Sequence, residues 1–133
     1  MNIERIQLEI QRLKTGGQVA ELITTCERPI VLYRDVPTAG QPLNLPLAVD
    51  VVVPVPGGYP ASMIDLAGLV AGSPFLGRIK GGNNNQGILN ADGRTWQLAS
   101  YHPHQNGGGP PWDQTKHGFH TYLDHLIAWL YVL

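Results

Sequence analysis

The chain is poor in cysteine and in charge. Its 133 residues include one cysteine, which excludes a disulfide framework and a cysteine-rich zinc site. Charged side chains make up 14% of the residues, and nine basic against ten acidic ones leave a formal net charge of -1. A protein that binds nucleic acid by neutralising phosphates carries a basic excess. The composition therefore predicts no nucleic-acid partner.

Long hydrophobic runs are missing as well. The longest apolar run, Leu126 to Leu133, has eight residues, whereas a membrane-spanning helix needs about 20. Charged residues interrupt the N-terminal stretch MNIERIQLEIQRLK, which is unlike a secretory signal. Together with the single cysteine, these features predict a soluble cytoplasmic protein with no membrane partner.

The residues that are present predict one small domain of mixed structure. Apolar residues reach 43%, enough for a core in a chain of this length, and we take residues 1 to 133 as one domain. Sixteen glycines and eleven prolines indicate many turns, and hence short strands joined by loops.

Two amphipathic helices are predicted, one at each end of the chain. Over residues 3 to 14, one face carries Ile3, Ile6, Ile10 and Leu13. Asn2 is placed to cap this helix and Gly16-Gly17 to end it. The charges of this helix are expected on its exposed face: Glu4, Arg5, Glu9 and Arg12. The second helix is predicted over residues 117 to 131, where apolar residues recur at helical spacing from Phe119 to Leu130.

Between the helices we predict an antiparallel sheet of about four strands, giving an α+β fold. The strand-like runs are Val19 to Thr25, Ile30 to Tyr33, Leu47 to Val53 and Thr95 to Ala99. The stretch from Gly81 to Gly93 is rich in glycine and asparagine, and it is expected to be a mobile loop. The side chains of Tyr59, Trp96 and Trp112 are expected to be at least half buried.

Histidines are concentrated near the second helix. His102, His104, His117 and His120 lie within nineteen residues. One interpretation is a zinc site formed by His102 and His104 with a third ligand from Asp113, His117 or His120. The alternative is that these histidines only form hydrogen bonds within loops.

Two side chains are candidate nucleophiles. Cys26 follows a strand-like run and precedes Arg28, a cation that favours a thiolate; a lone cysteine of this kind is also commonly a small buried hydrophobe. Ser100 has histidines close to it in the sequence, as a nucleophilic serine requires a base.

Three stretches, taken together, resemble the ubiquitin-conjugating (UBC) fold, in particular its divergent bacterial branch, prokaryotic family E. VVVPVPGGYPASMIDL is similar to the strand, proline turn and Tyr-Pro pair of UBC domains, and supplies Tyr59 and Pro60. DGRTWQLASYHPH is similar to that branch's tryptophan and Ser-x-His ending. PPWDQTKHGFHTYLDHLIAWL is similar to the segment in which a tryptophan, here Trp112, precedes the second large helix. The resemblance covers about residues 1 to 133.

The resemblance implies a ubiquitin-conjugating-like protein of a bacterial ubiquitin-like modification pathway, in the context of antiphage defence. Such a protein accepts or positions a ubiquitin-like C-terminus that an activating enzyme delivers. The implied partners are a ubiquitin-like protein, its activating enzyme and a deconjugating metalloprotease of the same operon. No cofactor is implied.

The chain departs from the UBC pattern at the site of chemistry. His102-Pro103 matches the family's His-Pro pair, but His104 stands at the asparagine position. The cysteine expected a few residues later is missing, since HQNGGGPPW contains none. Three readings therefore stay open.

The first reading is an enzyme whose nucleophile is Cys26, or Ser100 with His102 or His104 as base. The second is an inactive UBC variant that binds a ubiquitin-like protein or its activating enzyme. The third is a histidine-rich, metal-dependent hydrolase.

In the first two readings the same residues form the binding site. A run of glycines without Cβ atoms allows a Gly-Gly tail to approach the backbone closely. The candidate binding residues are Tyr59, Pro60, Gly107, Gly108, Gly109, Trp112 and His117.

Overall fold

The computed structural model describes residues 2–39, 45–79, 86–100 and 111–132. Helix α1 (Ile3–Thr15) and helix α2 (Phe119–Val132) flank the sheet in sequence. The strands are β1 (Ala20–Ile23), β2 (Ile30–Pro37), β3 (Ala48–Pro54), β4 (Leu66–Val70), β5 (Ile88–Ala91) and β6 (Arg94–Ser100), with a short 3-10 helix at Leu76–Arg78. Neither α1 nor α2 combines the length and the apolar character needed to cross a membrane.

Both helix predictions are confirmed, and so is the start of α1. The Asn2 side chain accepts a hydrogen bond of 3.1 Å from the backbone N–H of Arg5, and the helix ends at Gly16. Gly17 follows with a φ of 92°, a left-handed conformation that glycine adopts without steric cost. Ile3, expected on the buried face, is 49% exposed because it lies at the end of the helix.

The fold is α+β and its sheet is antiparallel, as predicted. The described residues form six strands instead of the expected four or so. The strand order is β1-β2-β3-β4-β6-β5. The missed strand β4 contains alanine and glycine, which have low strand propensity, and pairing with β6 from Leu66↔Ser100 to Val70↔Trp96 overrides that preference.

The missed strand β5 lies inside the stretch Gly81 to Gly93, so the expectation of a loop throughout that stretch is wrong. Asp92 and Gly93 have φ angles of 54° and 70°, as a two-residue hairpin turn requires, and they connect β5 directly to β6. The Asp-Gly pair is itself a hairpin signal in the sequence. Register with β6 then carries Leu89 into the core opposite Trp96.

The sheet has a buried core on each face. On the helix side, the strands contribute alternate residues that pack against both helices, among them Val31, Tyr33, Val51, Val53 and Ala99. The opposite face carries the second core, formed by Ile30, Leu32, Val52, Leu89, Ala91, Trp96 and Leu98. The sequence from Gly40 to Gly77, whose only charged residues are Asp50 and Asp65, supplies the central strands β3 and β4, and many residues of these strands are buried.

The second core is closed because the sheet curls on itself. Arg34 of β2 pairs with Asp92 at the β5–β6 turn (3.2 Å), although β3 and β4 separate these strands in the sheet. Arg94 bridges Asp92 (2.8 Å) and Asp50 of β3 (3.0 Å), while Arg34 also binds Glu21. Hydrogen bonds from Arg34 and Arg94 lower the pKa of Asp92. This ion-pair network joins strands from distant parts of the sheet.

The tight packing of the second core predicts the effect of a single methyl group. A Cβ atom at Gly68 would lie 2.6 Å from Val52 Cγ2 and 2.9 Å from Leu98 Cδ2. We expect Gly68→Ala to lower the free energy of unfolding by about 1–3 kcal/mol, as overpacking does. The matched control is Gly77→Ala, where a Cβ meets nothing within 4 Å. Urea denaturation of both variants tests this, and equal stabilities would contradict the packing argument.

Candidate functional site

The proline turn after β3 contacts the segment that leads into α2. The indole N–H of Trp112 donates a hydrogen bond of 2.9 Å to the carbonyl oxygen of Pro60. The ring centroids of Tyr59 and Trp112 lie 6.2 Å apart, and those of Tyr59 and Phe119 lie 5.0 Å apart. Tyr59 and Trp96 are buried and Trp112 is partly buried, so the predicted burial of these three residues is confirmed.

A buried carboxylate joins this turn to both helices. Glu9 is 4% exposed, so the expectation that it lies on the exposed face of α1 is wrong. Its Oε1 accepts hydrogen bonds from the Tyr59 hydroxyl (2.5 Å) and from the backbone N–H of Phe119 (3.1 Å). Its Oε2 accepts one from Arg5 Nε (2.8 Å). Burial and the Glu9 carboxylate raise the pKa of Tyr59, so the phenol stays protonated and keeps donating.

The sequence contains a signal for this placement of Glu9. Glu9 follows Ile6 by three residues and precedes Leu13 by four, a spacing that puts all three on one side of a helix. Because Glu9 is charged, it was expected to be exposed to solvent. The N-terminus of α2, however, offers its carboxylate a backbone N–H that has no partner within the helix, together with the positive end of the helix dipole. Gly118 permits the approach, because a Cβ there would lie 2.3 Å from Glu9 Oε2.

Arg5 completes this cluster by crossing to the turn before α2. Its Nη2 donates a hydrogen bond of 2.8 Å to the carbonyl oxygen of His117, and its guanidinium lies 5.7 Å from the Tyr59 ring centre. Arg5, like Glu9, was expected to face solvent, yet it is partly buried. We call Arg5, Glu9, Tyr59 and Phe119 the Glu9 cluster.

His117 and Asp113 shape the turn that carries Trp112 into α2. His117 Nδ1 accepts a hydrogen bond of 2.9 Å from the backbone N–H of Asp113, and its ring lies 5.8 Å from the Trp112 ring. The Asp113 carboxylate accepts from the hydroxyl (2.6 Å) and the N–H (2.9 Å) of Thr115. These hydrogen bonds lower the pKa of Asp113. Both side chains are therefore engaged in ordering the turn.

His120 lies on the first turn of α2 beside the Glu9 cluster. Its Nδ1 is 3.8 Å from Glu9 Oε2, and in the described part of the chain this buried atom has no hydrogen-bond partner. Burial lowers the pKa of His120, although the nearby Glu9 carboxylate opposes the shift. The imidazole is therefore held neutral at pH 7.

Ser100 is held by the segment that follows the proline turn. Its hydroxyl donates a hydrogen bond of 3.1 Å to Asp65 Oδ2, and the residue is 4% exposed. The Tyr122 hydroxyl of α2 reaches the carbonyl oxygen of Asp65 at 3.3 Å. The candidate nucleophile Ser100, at the end of β6, is thus buried and hydrogen-bonded to the Asp65 carboxylate.

Cys26 lies on the other side of the sheet from Tyr59 and Trp112. It is partly buried in the turn between β1 and β2, where it packs against the second core. Its thiol donates to the carbonyl oxygen of Arg28 at 2.9 Å. Among the residues that the structure describes, Cys26 is not brought together with the other candidate site residues.

Five candidate residues lie outside the described residues: His102, His104, Gly107, Gly108 and Gly109. The three candidates for a third zinc ligand have separate local partners, since Asp113 binds Thr115, His117 binds the Asp113 N–H and His120 lies by Glu9. Within the described ranges, no group of three or more His, Cys, Asp or Glu residues is arranged to hold a metal ion.

No protein-family model, no curated protein and no solved structure matches this chain.

Replacing the buried carboxylate tests its structural role. Glu9→Gln keeps the side-chain volume but places an amide where Arg5 and the start of α2 require acceptors. We expect a loss of about 1–3 kcal/mol in the free energy of unfolding, the usual cost of leaving buried hydrogen-bonding groups unsatisfied. Glu4→Gln, on the exposed first turn of the same helix, is the control and is expected to cost less than about 1 kcal/mol. Equal losses would contradict the role of Glu9.

The lowered pKa of His120 predicts a pH dependence of stability. Between its folded pKa and the unfolded value of about 6.5, the unfolded chain binds a proton that the folded protein does not. The contribution of neutral His120 to the free energy of unfolding is therefore fully present above about pH 6.5, and it is lost as the pH falls from there through the folded pKa. Unfolding curves from pH 8 to pH 5 should show wild type losing stability relative to His120→Gln. A pH-independent difference would contradict the assignment.

Proposed function

We propose that this chain is a UBC-like protein of a ubiquitin-like modification pathway, and that it binds and positions a ubiquitin-like C-terminus without forming a thioester. The observation that supports this most directly is the hydrogen bond between Trp112 and the Pro60 carbonyl. This bond joins two stretches that resemble UBC motifs, through residues that lie 52 positions apart in the sequence.

The remaining stretch that resembles a UBC motif also contacts the first one, through Ser100. Its Ser100 binds Asp65, which lies in the same stretch as Tyr59 and Pro60. The ten residues between Ser100 and Pro111 include His102, His104 and the three glycines. We expect a Gly-Gly tail to bind at Gly107 to Gly109, because glycines without Cβ atoms allow a second backbone to approach closely.

Binding is favoured over covalent transfer by the position of the candidate nucleophiles. The only cysteine of the chain packs on the opposite face of the sheet. The hydroxyl of Ser100 is buried and donates to Asp65. The segment YHPHQNGGGP between Ser100 and Pro111 contains no cysteine, serine, threonine or lysine.

The test uses the indole N–H of Trp112 as a reporter. A synthetic heptapeptide ending in Gly-Gly is titrated into the nitrogen-15-labelled protein, and a peptide ending in Gly-Gly-Ala is the control for a free diglycine terminus. We expect the Trp112 indole resonance to shift with the first peptide only. Trp112→Phe, which removes the bond to Pro60, should weaken binding about tenfold, the effect of one lost hydrogen bond. Trp129→Phe makes the same chemical change at the far end of α2 and should leave the affinity unchanged.

Covalent transfer is tested separately with a ubiquitin-like protein, its activating enzyme and ATP. We expect no adduct on non-reducing gels, for wild type or for Cys26→Ser. A thioester lost in Cys26→Ser, or an oxyester lost in Ser100→Ala, would overturn the non-covalent part of the proposal. Failure of both the peptide and the intact protein to bind would overturn the proposal as a whole.

A further inference from the structure

A cleft separates α1 from the turn that precedes α2. Its volume is about 570 Å³, within the range of ligand-binding clefts. Arg5, Leu8 and Arg12 line it from α1, and Lys116 and His120 line it from the other side. A neighbouring hollow shares Arg12 and His120, so the depression continues along α1 towards Gly16. We call it the α1–α2 cleft.

The positive charges of this cleft are unequally neutralised. Arg5 pairs with Glu9, the one carboxylate among the lining residues. Arg12 forms no ion pair with any other described residue. Lys116 is 77% exposed and lies 4.0 Å from Asp113, a distance and exposure at which an ion pair contributes little. Arg12 and Lys116 thus line one cleft as cations available to an incoming anion.

Three other carboxylates belong to the elements that form the cleft but do not line it. Glu4 precedes Leu8 by one turn of α1, and Asp124 follows His120 by one turn of α2; both are exposed. Asp113 accepts hydrogen bonds from Thr115. Arg12 and Lys116 are therefore the lining cations at which we expect an anion to bind.

We infer that the α1–α2 cleft binds a short acidic peptide segment of a partner protein, with carboxylates at Arg12 and Lys116 and an apolar side chain on Leu8. Leu8 is 69% exposed although it lies among the cations. An inorganic anion would not use the leucine. The inference does not rest on the proposed function.

The experiment uses the intact chain and three peptides, Glu-Glu-Leu-Glu-Glu, Gln-Gln-Leu-Gln-Gln and Lys-Lys-Leu-Lys-Lys, with capped ends. Amide chemical shifts are followed at low salt and at about 0.15 M salt. We expect only the acidic peptide to bind, with shifts centred on Leu8, Arg12 and His120. Arg12→Gln and Lys116→Gln should each weaken it at least fivefold. Lys14→Gln removes the same charge from another part of α1 and should have less than a twofold effect.

Leu8→Ser distinguishes a peptide site from a simple anion site. It should weaken the acidic peptide severalfold and leave the response to inorganic phosphate unchanged. The inference is overturned if the acidic peptide does not bind, if Lys14→Gln weakens it as much as Arg12→Gln does, or if phosphate binds the cleft as tightly as the peptide.

Discussion

The arrangement of the two helices depends on the hydrogen bonds that the buried Glu9 carboxylate accepts. This carboxylate belongs to α1, it accepts the first N–H of α2, and it accepts the hydroxyl of Tyr59 from the turn after β3. A carboxylate is stable in this position because three donors compensate its desolvation: the Tyr59 hydroxyl, the Arg5 guanidinium and the Phe119 N–H at the positive end of the α2 dipole. The same contacts fix the rotation of α1, since Glu9 is the acidic residue on its buried face. Tyr33 adds a second attachment, donating to the Phe119 carbonyl at 2.6 Å from the middle of β2.

The face of the sheet that points away from the helices is covered by the curling of the sheet itself. A flat antiparallel sheet can leave that face to solvent, but here it carries large apolar residues such as Trp96 and Leu32. Curling brings the β5–β6 hairpin towards β2 and buries them. Arg34 and Arg94 with their acidic partners border this closure, and the Arg94 guanidinium lies 4.4 Å from the Trp96 ring. Gly68 at the centre leaves room for the side chains of the neighbouring strands.

These two constraints also position the surface that we propose as functional. Tyr59 donates a hydrogen bond to Glu9 and its ring packs against Phe119. These contacts fix the neighbouring Pro60 carbonyl, which accepts the hydrogen bond from Trp112. Ser100 is fixed by Asp65 at the end of β6. Ser100 and Trp112 are thus both anchored to the segment between β3 and β4. Arg5 and Glu9 of the Glu9 cluster also line the α1–α2 cleft, so one carboxylate contributes to both sites.

The sequence by itself determined both helices, the cap at Asn2, the antiparallel α+β class and the burial of Tyr59, Trp96 and Trp112, because these depend on local periodicity, turn chemistry and side-chain size. It did not determine strand β4, whose alanine and glycine become a strand only through pairing with β6, nor the burial of Glu9, whose charge argued for solvent. The positions of Cys26 and Trp112 on opposite faces of the sheet are likewise a result of long-range packing. In each case the stabilising partner comes from a distant part of the chain, and local sequence patterns carry no information about which distant groups meet.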